Sequence, residues 1–111
     1  MTTLTNDKYI LVDKKVIPEP DLIKWGRWME DAKRHVGNDE LSDGTWISTV
    51  FLGLDHSFGN VGLPLVFETM VFPDGHNKPM AESEMWRYYT YKEAEAGHAK
   101  AVKKYEKLIT K

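Results

Sequence analysis

The sequence predicts an α+β fold in which two helices pack on one face of an antiparallel β-sheet, in the order β-β-α-β-β-β-α. β-branched and aromatic residues cluster in short runs at residues 9–12, 16–17, 45–52, 63–72 and 85–89, separated by turn-forming residues. Two longer segments instead place apolar residues at the three- and four-residue spacing of amphipathic helices. Because strands come in groups and do not alternate singly with helices, an antiparallel sheet is favoured over a parallel one.

The first elements are predicted to be a hairpin and a helix. Residues 13–15 lie between two β-type runs and predict a turn. Pro20 suits the first position of a helix, which is predicted to reach Val36 and to stop at Gly37. Gly26 lies inside this helix, where glycine costs up to about 1 kcal/mol relative to alanine. We therefore expect the surface around Gly26 to pack closely against another element.

The C-terminal helix has the clearest start signal. Thr90 and Glu93 fit the S/T-x-x-E capping box, in which each side chain satisfies a free backbone N–H group of the other residue. The helix is predicted to run to about residue 109. Its apolar face is predicted to be lined by Ala94, His98, Ala101, Tyr105 and Leu108.

Both faces of the predicted sheet are apolar. In the run 45–52, Trp46 and Val50 alternate with Ile47 and Phe51, and the run 63–72 alternates in the same way. The helices can cover only one face, and a solvated face should be polar. A second subunit, a loop or a ligand is therefore expected on the other face, and we favour a homo-oligomer, most simply a dimer.

Composition excludes several function classes. The 111 residues correspond to one domain, predicted to span residues 8–111 after a flexible polar tail at residues 1–7. The absence of cysteine excludes disulfides, thiolate metal sites and cysteine nucleophiles. A formal net charge of -2 does not favour nucleic-acid binding. No secretory signal, long apolar segment or lipidation motif is visible, so a soluble cytosolic protein without membrane contact is expected.

The connection between the two long strands is the leading candidate for a functional loop. Residues 53–62 include three glycines and exceed the usual hairpin loop of about two to five residues. If the run 85–89 is antiparallel to the run 63–72, Thr90 begins its helix at the same end of the sheet as Asp55 and His56. Since a helix N-terminus attracts anions, we predict a small anionic, nucleotide-like ligand at this end.

Seven residues form the predicted ligand-binding set: Thr49, Asp55, His56, Glu68, Arg87, Thr90 and His98. Most have a structural explanation as well. Asp55 can support its loop by accepting hydrogen bonds from backbone N–H groups. Glu68 can form an ion pair with Arg87 across neighbouring strands, beside Thr49. His98 can be a hydrogen-bonded core residue, and His76 is expected in an exposed turn.

A small His- or metal-dependent hydrolase remains an alternative to a binding protein. It would require Asp55, His56, Glu68 and His98 to converge on one reacting atom or ion. Adjacent loop residues seldom form an Asp–His pair, because their side chains diverge. The sequence contains no H-E-x-x-H motif, phosphate-binding loop, dinucleotide fingerprint or nucleophile elbow. We therefore assign no catalytic residue, metal or cofactor.

Three segments carry a resemblance to known proteins: STVFLGLDH at 48–56, PLVFETMVF at 64–72 and RYYTYKEAEAGH at 87–98. They resemble a family of small proteins of phages, prophages and environmental viral sequences. Residues 73–75 differ from the Gly-Gly loop that the family often has there. The resemblance implies a viral origin but brings no catalytic residues.

Small non-structural phage proteins often act by binding a host protein or a host signalling molecule. The resemblance therefore implies an accessory protein of the host cytoplasm, of a counter-defence type, that binds a host protein or an anionic ligand without turnover. A virion or morphogenesis component is a further alternative.

Overall fold

The computed structural model describes residues 6–57, 62–73 and 84–109. In chain order these form β1 (Tyr9–Val12), β2 (Lys15–Pro18), α1 (Leu22–Asp31), β3 (His35–Glu40), β4 (Trp46–Phe51), β5 (Phe67–Phe72), β6 (Met85–Tyr88) and α2 (Tyr91–Ile109). β1 and β2 pair as a separate hairpin, whereas the other four strands form one antiparallel sheet in the order β3-β4-β5-β6. α2 contacts all four of these strands and α1 contacts β1, so the predicted α+β fold is confirmed.

The core lies between the sheet and α2. Alternate residues of β4 and β5 face the helix and are fully buried: Ile47, Thr49, Phe51, Phe67, Thr69 and Val71. α2 places Ala94, His98 and Ala101 against them. Trp28 of α1 extends the core at one end, where its ring meets Phe51 edge-on at a centroid distance of 5.7 Å.

α1 is shorter than its apolar pattern predicts. The helix ends at Asp31, and residues 35–40 form β3. The predicted continuation to Val36 is wrong because this segment pairs with β4 along the edge of the sheet, with a bulge between His35 and Gly37. Val36 is thereby half-buried against the core. The observed order has one strand more than the predicted order.

The connection between β4 and β5 spans residues 52–66, which is longer than predicted because β5 begins only at Phe67. Residues 58–61 of the predicted loop lie outside the described residues, as do residues 1–5 of the predicted tail and His76. The last two tail residues contact the domain: the Asp7 carbonyl accepts a hydrogen bond from the Asp55 N–H group at 2.9 Å. None of the helices in the described ranges is long and apolar enough to cross a membrane.

The sheet face turned away from α2 carries a mixture of apolar and polar side chains. By the strand register it presents Trp46, Ser48, Val50, Glu68, Met70, Phe72, Met85 and Arg87. Trp46 stacks on Phe72 with 4.7 Å between ring centroids. The alternation between two partly apolar faces is thus confirmed for β4 and β5.

Candidate functional site

A cavity of about 560 Å³ lies where the β1–β2 hairpin approaches the first turn of α2. Its lining combines three lysines, three tyrosines and several smaller residues. We call it the lysine cavity; the described residues that line it are Tyr9, Lys14, Lys15, Val16, Pro18, Leu63, Pro64, Tyr89, Thr90, Tyr91 and Lys92.

The hairpin turn brings Lys14 and Lys15 to this cavity. Asp13 and Lys14 have φ angles of 53° and 65°. Two successive residues in the left-handed region produce the tight type I′ turn, whose twist suits the paired strands. The Lys14 ammonium lies 5.3 Å from the centroid of the Tyr91 ring, within the range of a cation–π interaction. Phe67 meets the same ring edge-on at 5.9 Å, so Tyr91 links the hairpin tip to the core.

Positive charge at the lysine cavity comes from side chains more than from the helix terminus. None of the described lining residues is acidic, and the three lysines are exposed. At the start of α2, the Glu93 carboxylate accepts from the N–H group of Thr90 at 3.1 Å, and the Thr90 hydroxyl accepts from the Glu93 N–H group at 3.1 Å. The predicted capping box is confirmed, and its carboxylate offsets part of the helix dipole.

Asp55 fixes the connection between β4 and β5. Its Oδ1 atom accepts hydrogen bonds from the Ser57 N–H group at 2.9 Å, the Ser57 hydroxyl at 2.7 Å and the Leu65 N–H group at 2.9 Å. Burial acts to raise the pKa of this carboxyl, but the three hydrogen bonds and His56 outweigh it, so the pKa lies below its ordinary value. The arrangement matches the loop-supporting explanation.

His56 turns away from Asp55 and donates from Nδ1 to the Leu54 carbonyl at 2.8 Å. The two neighbouring side chains therefore form no Asp–His pair. Neither residue lines the lysine cavity, although Thr90 does.

Glu68 and Arg87 form the predicted cross-strand ion pair, with 3.0 Å between Oε2 and Nε. They occupy opposed positions of β5 and β6 on the face away from α2. Thr49 is opposite Thr69 and faces α2, so the expected position of the ion pair beside Thr49 is wrong. Because the side-chain period of a strand is two, adjacent positions face opposite sides.

His98 lies at the centre of a polar network that crosses the sheet. Its Nε2 atom is 2.6 Å from Asp39 of β3 and its Nδ1 atom is 2.7 Å from the Thr49 hydroxyl of β4. The Thr49 and Thr69 hydroxyls are 2.5 Å apart, and the Tyr88 hydroxyl donates to Thr69 at 3.0 Å. One residue from each of the four strands is thereby connected to α2.

One arrangement of protons satisfies every hydrogen bond of this network. When the imidazole carries a proton on Nε2 and none on Nδ1, it donates to Asp39 and Nδ1 accepts from Thr49, which in turn accepts from Thr69. The carboxylate–imidazole–hydroxyl order resembles a hydrolase triad, but Thr49 is fully buried and no substrate can reach its hydroxyl. The network therefore acts as a satisfied core contact, and burial raises the pKa of Tyr88, which keeps its hydroxyl protonated.

The predicted site residues do not converge. Thr49 and His98 are hydrogen-bonded on the helix side of the sheet, while Glu68 and Arg87 pair on the opposite side. Across the described ranges, no group of three or more His, Asp and Glu side chains is arranged to hold a metal ion. Sequence reasoning missed the three lysines, for which the available signal was a lysine pair at a tight turn. It also missed Asp39, Thr69 and Tyr88, which carry no local motif.

No protein-family model matches this sequence, and neither a curated protein nor a solved structure matches it.

Proposed function

We propose that this chain is a phage accessory protein that binds a small anionic, nucleotide-like ligand in the lysine cavity and holds it without turnover. The observation that carries the proposal is the combination of Lys14, Lys15 and Lys92 with three tyrosines around about 560 Å³ of space. Small-molecule pockets commonly have volumes of about 300–1,000 Å³. The proposal includes a counter-defence role in the host cytoplasm and a homo-oligomeric state.

The two chemical parts of a nucleotide match the two kinds of side chain in the cavity. Lysine ammonium groups attract phosphate as point charges. Aromatic faces and apolar side chains such as Val16 and Leu63 favour a flat heterocyclic ring. An anion without such a ring would use the lysines alone and would bind more weakly.

Sequestration is favoured over catalysis by the composition of the lining. The described lining residues include no His, Asp or Glu that could act as a general base. The hydrolase alternative rests on Asp55, His56, Glu68 and His98, and the first two hold their own loop while the last two face opposite sides of the sheet.

Calorimetric titration with cyclic AMP, cyclic GMP, ADP and inorganic phosphate tests the proposal. We expect at least one nucleotide to bind more tightly than phosphate, with weaker binding at about 150 mM than at about 20 mM salt, because salt screens exposed charges. Lys14→Gln, Lys15→Gln and Lys92→Gln should each weaken binding about fivefold, since one exposed charge contact at 4 Å is worth about 1 kcal/mol. Lys103→Gln is the matched control, because Lys103 belongs to α2 but lines a different cavity.

Analysis of the recovered ligand separates binding from turnover. Unchanged nucleotide supports the proposal, whereas hydrolysis products would support the hydrolase alternative. The proposal is overturned if none of the four probes binds, or if the three lysine variants bind as tightly as the Lys103 control. Recovery of the protein in purified phage particles would instead support a virion component.

A further inference from the structure

A second cavity, a groove of about 640 Å³, runs between β6 and α2. Trp86 and Tyr88 of the strand form one wall, and the small residues Ala96, Gly97 and Ala101 of the helix leave space on the other. The groove opens beside β6, which is an edge strand of the sheet. A chain that pairs with the outer edge of β6 would therefore lie next to this groove.

The outer edge of β6 presents backbone groups that can pair with another strand. The Tyr88 carbonyl accepts from Val66 and the Glu84 carbonyl accepts from Val71, each at 3.2 Å. In an antiparallel ladder, alternate residues point their backbone groups to the same side. The N–H and C=O groups of Met85 and Arg87 are therefore directed away from β5, and within the described residues no strand pairs with them.

The two edges of the sheet differ in the part of the chain that the structure describes. β3 has a bulge between His35 and Gly37 and carries the exposed acidic residues Asp39 and Glu40. Bulges and charged side chains are common devices against edge-to-edge association. β6 pairs with β5 in unbroken register and carries Met85, which is 44% exposed.

We propose that a second copy of this chain pairs with β6 antiparallel to it, about a two-fold axis at Trp86. This register places Met85 opposite the partner's Arg87 and uses both outward-facing residues of each strand, giving about four interchain hydrogen bonds. A register centred on Arg87 would place two like charges directly opposite each other, which is destabilising. The two four-stranded sheets then form one sheet of eight strands.

The side chains at this axis suit a self-complementary contact. Trp86 meets its symmetry mate at a non-hydrogen-bonded position, where cross-strand side chains lie closest and aromatic pairs are favourable. Lys104 lies 5.6 Å from the Trp86 ring and is neutralised by Glu84 of its own chain at 2.7 Å. The charge of Lys104 next to the two-fold axis is therefore offset within each copy. This inference deepens the homo-oligomeric part of the proposed function and does not involve its ligand.

Light scattering and native mass spectrometry of the full chain test the inference at concentrations up to about 100 µM, because dimerisation depends on concentration. We expect a dimer for the unmodified protein. Met85→Pro removes an outward N–H group without removing a hydrogen bond to β5, and it should weaken dimerisation at least about tenfold. Met85→Ala is the matched control, since it shortens the side chain but keeps the N–H group, and it should remain dimeric.

A cross-linking experiment tests the register and remains decisive if Met85→Pro does not fold. Because the chain contains no cysteine, Trp86→Cys introduces a single thiol that should form a disulfide-linked dimer under mild oxidation. Glu40→Cys, on the β3 edge, should stay monomeric on a denaturing gel. A monomer at every concentration, an undiminished dimer with Met85→Pro, or equal cross-linking of both cysteine variants overturns the inference. A monomer that binds nucleotide refutes only the dimer, and a dimer that binds no nucleotide refutes only the proposed ligand.

Discussion

At the scale of single residues, Asp55 organises a long connection through one carboxylate oxygen. The N–H group and hydroxyl of Ser57 and the N–H group of Leu65 all donate to this atom, although Leu65 lies ten positions along the chain. A partly buried acceptor of several hydrogen bonds is costly to remove, because each donor then loses its partner. The stabilising role of Asp55 is therefore largest when the carboxylate is ionised.

Replacing Asp55 by alanine is expected to destabilise the protein by about 1–3 kcal/mol at neutral pH. Asp55→Asn retains an acceptor oxygen and should cost less. The pKa of Asp55 is lowered in the folded state from an ordinary value of 3.8, so its contribution is present above that value and is lost as the pH falls through the folded pKa. Denaturant unfolding at pH 7 and at about pH 2.5 should therefore show a smaller difference between the unmodified protein and Asp55→Asn in acid. A difference that is equal at both pH values would contradict this account.

His98 shows how far a single residue can be interpreted from sequence. Its position on the apolar stripe of α2 is compatible with a ligand-binding histidine and with a hydrogen-bonded core histidine, and the structure places it in the core. Its partner Asp39 is 59 positions away, on a strand whose first two residues the sequence pattern assigned to the end of a helix. The close approach of the His98 ring also explains Gly37, where an added Cβ atom would overlap the imidazole. Such contacts depend on the strand pairing and leave no periodic signal.

At the scale of elements, the two helices differ in how far their ends can be predicted from the residues of the helix itself. The capping box and apolar stripe of α2 lie within the helix, and both of its ends agree with prediction. α1 has a similar stripe, but the segment after Asp31 gains more by pairing with β4 than by continuing the helix. Strand pairing is a non-local contact, and a pattern of apolar residues along one segment cannot reveal it.

Glycines in the two helices provide a matched test of element packing. Among the residues that the structure describes, no atom lies within 4 Å of a Cβ added at Gly26 in α1, so the expected close packing there is not found. Gly26→Ala should raise stability by up to about 1 kcal/mol, because alanine favours the helix and nothing obstructs it. At Gly97 in α2 the same methyl group would overlap the Tyr88 ring. Gly97→Ala should therefore lower the melting temperature while Gly26→Ala raises it, and a shift of the same sign in both variants would refute this packing.

At the scale of the whole molecule, the lysine cavity is assembled from segments far apart in sequence. The hairpin, the segment before β5 and the start of α2 each contribute lining residues. The antiparallel order of β4, β5 and β6 is predictable from turns and alternation, and it correctly brings the start of α2 to the end of the sheet with the long connection. The sequence pattern nevertheless predicted Asp55 and His56 as ligand-binding residues at this end, and neither of them lines the lysine cavity. The position of the β1–β2 hairpin over that end depends on tertiary contacts such as Lys14 with Tyr91.

The polar network and the core connect the four-stranded sheet to α2. Hydrogen bonds through Asp39, His98, Thr49, Thr69 and Tyr88 connect β3, β4, β5, β6 and α2 across the buried side of the sheet. α1, in contrast, contains no fully buried residue and leaves two of its apolar side chains more than 60% exposed, Leu22 and Ile23. Regions with few buried contacts open at lower free energy than the core around which they pack.

Native-state hydrogen exchange should therefore distinguish two levels of stability within this single chain. Amide groups of β4, β5 and the middle of α2 are expected to exchange together, at the rate of global unfolding. Amide groups of α1 should exchange at least about tenfold faster, which corresponds to an opening free energy lower by about 1.4 kcal/mol. α2 is the internal control, because it is also a helix but places three buried residues against the sheet. Equal protection of α1 and β4 would show that the hairpin and α1 are coupled to the sheet as tightly as α2 is.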